Sequence, residues 1–528
     1  MPWIDVAVLG VYFALMAAMG PLFMRRGTTT EGYFLGNRAF SGWLVGFSMF
    51  ATSISSLTFL AYPADAYKTA WLRMLPNFAL PVVVLMASHL FLPFFRRGNI
   101  TSAYEYLEGR FGPKVRLYAA CVFIFGQVVR ISLILYLVSQ LVEQVTGLEP
   151  WMSVLIGGVI TSFYTVLGGI TAVIWTDFIQ AMVLWFGGVV CVIVVACYLG
   201  GPVEGIFEIV RVGIRDGKFA FAELQEDGRL VPVPWGFSLV NKTVLMMLLI
   251  GMGNWIYEYS GNQNVIQRYC ASRSPRHARI AMWTCCWFSV PTWALFMFLG
   301  TALYVFYQNF PQPEAIDMLA GANEAKAEGI LPFFVINRLP VGVTGLVIAA
   351  VLSAAMSSIS SSINGVCAVS IVDVYRRHLV TDRDDKHYVI VAKLIGAAQG
   401  IIMIVGALIL TWVETKTLQD TSTQMAAMMA GGLAALYLLG FLTVRCNGKA
   451  AFTGIACTVL FTGWMATIKL EWVNWPPMLV AIETYYVGII GNVIMFMVGY
   501  LAGTLLFPRK EEVPNNLSLW TQDGTPLD

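Results

Sequence analysis

The chain has 528 residues, of which 58% are hydrophobic and only 12% are charged, and its mean hydropathy is +0.70. Apolar runs of about twenty residues recur along the whole chain, which is typical of a helical membrane protein with many spans. A net charge of +2 without a basic stripe argues against nucleic acid as a partner. Nine dispersed cysteines and four dispersed histidines indicate neither a disulfide framework nor a zinc site.

The apolar runs predict an all-α polytopic membrane protein with thirteen spans in a single transmembrane domain, 1–528. The predicted spans lie near 3–23, 43–66, 72–94, 117–145, 151–169, 172–199, 238–260, 278–307, 341–374, 387–413, 418–444, 450–468 and 485–507. The first run lacks a preceding basic segment and a cleavage site, so we expect a retained helix rather than a signal peptide.

Lys and Arg are distributed unevenly between alternate loops, with about 20 on one side and about 9 on the other. The richer loops include Arg25, Arg96, Arg268 and Arg376. Because basic loops remain in the cytoplasm, the chain is predicted to lie in the plasma membrane with its N-terminus outside and its C-terminus inside.

Two of the predicted spans contain residues that interrupt helices. Hydroxyl residues fill most of positions 52–58, and Pro63 follows them; the span 238–260 contains Gly251, Gly253 and Asn254 and is followed by residues 261–263, Gly-Asn-Gln. Broken helices expose backbone carbonyls at membrane depth, where they are tolerated only in a cavity or at a ligand. Their spacing predicts an inverted repeat of five helices plus five. Ordinary packing of small residues remains an alternative for the second interruption.

A stripe of hydroxyls runs along the predicted span 341–374. At 100° per residue its serines fall on one side of a helix; they are Ser353, Ser357, Ser358, Ser360 and Ser361. Hydroxyls in hydrocarbon need partners, so this side should face a polar cavity rather than lipid. Hydroxyl and carbonyl oxygens are hard donors that suit a cation such as Na⁺. Helix packing with hydroxyls bonded to their own backbone is the alternative.

Two charged residues lie within predicted spans. Arg130 is near the middle of one, where a charge costs about 3 kcal/mol on insertion scales, so it is a candidate to bind a ligand or form an ion pair. Asp177 is nearer a helix start and has an alternative as a partner of the helix dipole. Beside the serine stripe, its anionic oxygen would complete a Na⁺ site.

Four ordered motifs resemble those of the sodium/solute symporter family. They are NITSAYEYLE at 99–108, GGI at 168–170 leading to WTD at 175–177, NQNVIQR at 262–268, and the serine-rich helix. Residues 50–56, Arg130 and residues 357–361 are most similar to bacterial sodium/sialic acid symporters. The resemblance implies the LeuT-type 5+5 inverted repeat. It also implies an extra N-terminal helix (3–23), an inverted-repeat core (43–444), two C-terminal helices (450–507) and a cytoplasmic tail (508–528).

The resemblance implies Na⁺ as the coupling ion and suggests two Na⁺ sites. The site common to the family would use the carbonyls of Ala51, Ile54 and Ala354 and the hydroxyls of Ser357 and Ser358. A second site, found in part of the family, would use Asp177, Ser357, Ser360 and Ser361.

The resemblance also implies a site for the carboxylate of an acidic sugar such as sialic acid. That carboxylate would meet Ser55, Thr58 and Arg130, with Ser53 close by. Asn77 stands where the sialic acid symporters have a glutamine, so its amide reaches one methylene less far. Asn254, Trp255 and Tyr257 are further candidates to contact the sugar.

Other functions fit the sequence less well than uptake of a small solute. A neutral sugar, an amino acid or a monocarboxylate remains an alternative substrate. A channel would need repeated polar rings, an enzyme would need a nucleophile–base pair or a metal motif, and a sensor would need a soluble signalling domain. We expect lipid to be the surrounding partner and no obligate protein partner.

Overall fold

The computed structural model describes residues 1–97, 100–225, 229–319, 324–412, 432–469, 484–509 and 511–522. Within these ranges the chain is mainly helical. The α-helices are α1 Trp3–Phe23, α2 Thr30–Leu35, α3 Gly42–Ser53, α4 Ser56–Lys68, α5 Leu80–Met86, α6 Leu92–Arg96, α7 Tyr104–Phe111, α8 Pro113–Thr146, α9 Pro150–Tyr198, α10 Pro202–Arg215, α11 Val244–Ser260, α12 Gln263–Ala271, α13 Pro275–Asn309, α14 Pro313–Leu319, α15 Ile330–Arg338, α16 Val343–Val369, α17 Asp385–Leu410, α18 Leu433–Leu442, α19 Gly448–Lys469 and α20 Val487–Leu501.

In the described part, nine helical segments are long and apolar enough to cross a bilayer, or ten if the bent pair Gly42–Ser53 and Thr58–Lys68 counts as one span. The predicted multi-pass helical architecture is therefore confirmed. The number thirteen stays a prediction, because residues 413–431 and 470–483 lie outside the described ranges. The first half of the predicted span 418–444 is among them, and Asn99 of the first motif also lies outside the described ranges.

Helix α9 contains 49 residues, a length of about 74 Å and more than twice the hydrocarbon thickness of a bilayer. Gly169 interrupts it with a φ of +58°, at the boundary predicted between spans 151–169 and 172–199. A Cβ atom at this position would lie 2.7 Å from the Tyr33 carbonyl oxygen. Only glycine satisfies both constraints, and the turn aims the following segment, which carries Asp177, into the protein.

The interruption predicted in the hydroxyl-rich segment is confirmed. Helix α3 ends at Ser53, Ile54 and Ser55 are extended, and α4 begins at Ser56, with a bend of 57° between the two halves. Thr52 and Ser53 donate hydrogen bonds of 2.9 Å to the carbonyls of residues four earlier, Ser48 and Met49. Hydroxyls that bond to nearby backbone weaken and bend helices, which favours a break here.

The second interruption lies at Gly261 and Asn262, between α11 and α12. Asn262 is extended, and its side chain accepts a hydrogen bond of 3.0 Å from the Asn264 amide, which caps α12. The expectation that Gly251 and Gly253 take part in the break is wrong, because both lie inside the continuous helix α11. A Cβ atom on Gly251 would lie 2.0 Å from the Pro76 carbonyl oxygen, so this glycine permits close packing instead.

Helix α16, which carries the serine stripe, packs against α1, α3, α4, α8, α9 and α17. Every residue from Val347 to Val369 is buried. The stripe therefore faces protein and not lipid, as the cost of unpaired hydroxyls in hydrocarbon predicts.

Outside the helical body, a short antiparallel hairpin follows α10. Its strands are β1 Ala222–Leu224 and β2 Leu230–Pro232, and Glu223 pairs with Val231. The Trp71 amide donates a hydrogen bond of 2.9 Å to the Ala220 carbonyl just before β1. This bond joins the loop to the 3-10 segment Trp71–Ala79, which contains Asn77.

Candidate sodium and substrate sites

Helix α16, here called the serine helix, directly contacts the broken helix formed by α3 and α4. Ser357 Oγ lies 2.9 Å from the Ala51 carbonyl oxygen and 3.2 Å from the Ala354 carbonyl oxygen. Ser358 is 1% exposed, and its hydroxyl has no hydrogen-bond partner among the described residues. Ile54 is fully buried in the extended break. The five residues expected at the common sodium site therefore lie on the two elements that are in contact here.

The chemistry of this group suits Na⁺. Its donors are neutral carbonyl and hydroxyl oxygens, which are hard ligands, and a buried hydroxyl without a partner is costly unless something binds it. Among the described residues, no group of three His, Cys, Asp or Glu is arranged to hold a metal ion, so the donor set does not resemble a transition-metal site.

Asp177 is fully buried beside the other end of the serine stripe. Ser48 Oγ donates a hydrogen bond of 2.5 Å to Asp177 Oδ2. Ser360 and Ser361 both donate to the Ser357 carbonyl, at 3.1 and 2.5 Å. The four residues expected at the second sodium site thus form one buried cluster, and Asp177 Oδ1 lacks a hydrogen bond within the described chain.

Arg268 is the residue of this cluster that sequence reasoning missed. We expected it in a basic cytoplasmic loop, but it is 1% exposed, and its Nη2 atom lies 2.9 Å from Asp177 Oδ2. The same nitrogen donates to Ser361 Oγ. The available signal was the charge itself: Arg268 follows the interrupted span 238–260 by only eight residues, and a buried arginine there can pair with a buried aspartate elsewhere in the chain.

The residues expected at the substrate site lie on α3, α4, α8 and the segment before α5. Thr58 is buried on α4, and Ser55 is half-buried at the break that precedes it. Ser53 is half-buried and donates to the Met49 carbonyl. Asn77 is buried, and its amide nitrogen donates a hydrogen bond of 2.8 Å to the Tyr62 hydroxyl on α4.

Arg130 is half-buried on α8, a helix that packs against α4. In the part of the chain that the structure describes, it forms no hydrogen bond and no ion pair within 4.0 Å. Its charge interacts over a longer distance with Tyr257 and Glu258, near the end of α11. Glu258 accepts a hydrogen bond of 2.8 Å from the Asn262 side chain and was not foreseen from the sequence.

The other candidates on α11 do not share one environment. Tyr257 is near Arg130, whereas Trp255 packs on Trp293 with ring centroids 5.4 Å apart. Asn254 is exposed. Of the three, Tyr257 interacts electrostatically with Arg130.

Comparison of the sequence with known protein families assigns the chain to one of them. A family model described as "Sodium:solute symporter family" matches residues 33–457. The chain belongs to the sodium:solute symporter family. It is therefore a secondary active transporter and not an enzyme, its coupling ion is Na⁺, and its other partner is a small solute.

This symporter is similar to two curated bacterial transporters along nearly its whole length. It is 30% identical over 510 residues to "Sodium/sialic acid symporter SiaT" of Proteus mirabilis, covering 96% of each chain. It is 28% identical to "Sodium/sialic acid symporter NanT" of Aliivibrio fischeri, covering 95% of this chain and 93% of that one. Similarity also extends to "Sodium-coupled monocarboxylate transporter 1" of Homo sapiens, at 28% identity over 87% of this chain and 71% of the relative.

Solved structures agree with the predicted fold class of this symporter. A substrate-bound, outward-open Na⁺-coupled sialic acid symporter matches with a TM-score of 0.84 and 29% identity, over 96% of this chain and 99% of that chain. Mhp1, a nucleobase-cation-symport-1 transporter, matches with a TM-score of 0.50 at 14% identity, which indicates a shared fold only. The prediction of a LeuT-type fold is confirmed.

Proposed function

We propose that this symporter imports a sialic acid, such as N-acetylneuraminate, together with two Na⁺. The observation that carries the proposal concerns Arg130. This residue is half-buried within a span, and in the described chain its guanidinium forms no ion pair within 4.0 Å. An arginine in this setting favours a ligand with a carboxylate, which it can bind through two parallel hydrogen bonds. Two relatives similar over nearly the whole chain are named as sialic acid symporters.

The proposed binding of the carboxylate involves residues from both sides of the broken helix. Arg130 would supply charge, Ser55 and Thr58 would donate hydrogen bonds, and Ser53 would line the site. Asn77 would contact the polar tail of the sugar. Since its amide is held by Tyr62 and is short, a bridging water would make this contact.

The two Na⁺ would have ligand sets that share only Ser357. The first would bind the carbonyls of Ala51, Ile54 and Ala354 and the hydroxyls of Ser357 and Ser358. The second would bind Asp177 with the hydroxyls of Ser357, Ser360 and Ser361. Ions at the junction of the broken helix and the serine helix would hold the outward-facing form and order the substrate site, and their release would loosen it.

Voltage would drive this cycle even with an anionic substrate. Two Na⁺ and one carboxylate carry one net positive charge inward, which gains about 2.3 kcal/mol from a potential of 100 mV. Each ion also descends its own concentration gradient.

The proposed arrangement in the plasma membrane follows the charge of the loops, with the N-terminus outside and the C-terminus in the cytoplasm. The helix 3–23 would precede a core at 43–444, two helices at 450–507 and a tail at 508–528. The transporter would work in lipid without an obligate protein partner. A C-terminal reporter that is active only in the cytoplasm tests this orientation, and an inactive reporter would contradict it.

Uptake into proteoliposomes tests the proposed substrate. We expect saturable, Na⁺-dependent and voltage-stimulated uptake of N-acetylneuraminate, with little uptake of a neutral hexose or a neutral amino acid. A short monocarboxylate is the second candidate, because Arg130 suits any carboxylate and the human monocarboxylate transporter is also similar. Preference for the monocarboxylate would replace sialic acid as the substrate, and uptake without Na⁺ would contradict the coupling.

A further inference from the structure

Arg268, on α12, contacts α9 and α16, the two helices that carry the proposed second sodium site, and also α3. Its Nε donates to Ser48 Oγ on α3 at 2.8 Å, and its Nη1 donates to the Asn264 carbonyl on α12 at 2.7 Å. Its Nη2 contacts Asp177 Oδ2 at 2.9 Å and Ser361 Oγ on α16. One guanidinium therefore ties together four helices around a single aspartate.

This guanidinium uses two of the four side chains that the second Na⁺ would need. Ser361 donates its only hydroxyl proton to the Ser357 carbonyl, and its Oγ atom also contacts Thr52 at 2.9 Å. With Arg268 donating to the same oxygen, Ser361 has no free side for an ion. The second site cannot take its full ligand set while Arg268 stays in place.

Charge leads to the same conclusion. Arg268 and Asp177 form an ion pair in which neither side chain is more than 1% exposed, so the cluster is already neutral. A Na⁺ added beside the guanidinium would leave an excess positive charge away from water, which is unfavourable. Asp177 Oδ1 has no hydrogen bond in the described chain and is open to an ion.

We propose that Arg268 is a tethered cation that replaces Na⁺ at the second site and must leave Asp177 and Ser361 for that ion to bind. When Na⁺ departs, the guanidinium returns and neutralises Asp177, so the empty carrier never holds an unpaired buried carboxylate. Arg268 thereby sets the Na⁺ affinity of the site and helps the empty carrier to reorient. The inference rests on the proposed second Na⁺ site.

Direct ²²Na⁺ binding to the purified full chain, without organic substrate, tests this role. Wild type should bind two Na⁺ with different affinities. Arg268→Gln removes the competing charge and should tighten the weaker site at least tenfold, leave the other site unchanged and slow turnover in exchange assays. Arg268→Lys keeps the charge but cannot make the four contacts at once, so it should tighten the weaker site by a smaller factor.

The matched control is Arg110→Gln. Arg110 is also 1% exposed, but its guanidinium donates to the carbonyls of Gly440, Thr443 and Cys446, away from the serine helix. The Arg110→Gln variant should bind Na⁺ with the same two affinities as wild type. The double variant Asp177→Asn with Arg268→Gln has no buried charge in the cluster and should bind one Na⁺.

The outcomes separate this inference from the proposed function. Unchanged or weaker Na⁺ binding in Arg268→Gln would overturn the role of Arg268 while leaving two sodium sites intact. If that variant does not fold, Arg268→Lys decides by the same criterion. A wild-type stoichiometry of one Na⁺ would overturn the second site itself and the inference with it. Because no sugar is present, a wrong substrate assignment does not affect the result.

Discussion

The hydroxyl of Ser357 donates a hydrogen bond of 2.9 Å to the carbonyl oxygen of Ala51, although 306 positions separate the two residues. Ala51 lies just before the break between α3 and α4, where carbonyls lose their helical partners. The bond therefore joins the first half of the broken helix to the serine helix. A Na⁺ that binds both oxygens would replace this bond and strengthen the same junction.

Ser358→Ala should weaken Na⁺ binding without weakening the fold. The Ser358 hydroxyl is buried and forms no hydrogen bond in the described chain, so its removal leaves no partner unpaired. We expect the half-saturating Na⁺ concentration to rise about tenfold, equivalent to about 1.4 kcal/mol. Na⁺-dependent thermal shift and uptake measure this effect.

Ser353→Ala is the matched control, because Ser353 lies on the same helix and bonds to the Tyr12 hydroxyl at 3.0 Å. It should keep the Na⁺ dependence of wild type. An unchanged Na⁺ dependence in Ser358→Ala would remove this serine from the proposed ligand set.

Asp177→Asn should reduce the number of coupled ions from two to one. The Hill coefficient for Na⁺ should fall towards one, and reversal potentials should fit a single Na⁺ per substrate. The variant also leaves Arg268 buried without its counter-charge, which we expect to cost about 3–5 kcal/mol of folding free energy. Melting curves report this loss, and a wild-type coefficient near one would contradict the second site.

Arg130→Lys should lose most of the substrate affinity despite keeping a positive charge. A carboxylate pairs with the two parallel N–H groups of a guanidinium, a geometry that an ammonium lacks. We expect a loss of tenfold or more for N-acetylneuraminate, measured by calorimetry in Na⁺. An analogue whose carboxylate is reduced to an alcohol should bind wild type poorly.

Glu258→Gln is the opposing variant, since it removes the negative charge that interacts with Arg130. It should strengthen binding of the anionic sugar several-fold and leave the alcohol analogue unaffected. Equal affinity of wild type for the acid and the alcohol would show that Arg130 does not bind the substrate carboxylate.

Acidification should destabilise the protein through Glu108, on α7. Burial acts to raise the pKa of Glu108, but hydrogen bonds to Arg377 at 2.6 Å and Arg116 at 2.5 Å outweigh it and lower the pKa below its ordinary value of 4.5. The unfolded chain thus takes up this proton first as the pH falls. The stabilisation that Glu108 contributes is fully present above pH 4.5, the pKa of the unfolded chain. It should be lost as the pH falls below 4.5 and passes through the lowered pKa of Glu108 in the folded protein.

Melting temperature measured between pH 6 and pH 3 in Glu108→Gln tests this linkage. The variant should be less stable at pH 6 by about 1–3 kcal/mol, because two arginines lose a charged partner, and its melting temperature should depend less on pH. Glu512→Gln, at an exposed position of the tail, should behave like wild type. A pH dependence that Glu108→Gln leaves unchanged would exclude Glu108 as its source.

Several features of this symporter could be predicted from the sequence because they depend on neighbouring residues. Long apolar runs specify membrane spans through transfer free energy, and the hydroxyl-rich residues 52–58 weaken their own helix. The helical period alone places Ser357 and Ser361 on one side of α16, and the cost of hydroxyls in hydrocarbon turns that side inward. These are local effects, and the structure has them where the sequence predicts them.

Tertiary structure decided which charges meet. Arg268 pairs with Asp177 across 91 positions, and Glu258 interacts with Arg130 on another helix. No periodicity or spacing in the sequence indicates either pair, because each depends on how the broken helices pack in three dimensions. A count of basic residues assigned Arg268 to a loop, although the helix after Gly261 carries it into the protein. Electrostatic complementarity at low dielectric makes that position stable, and only the packed structure provides both partners.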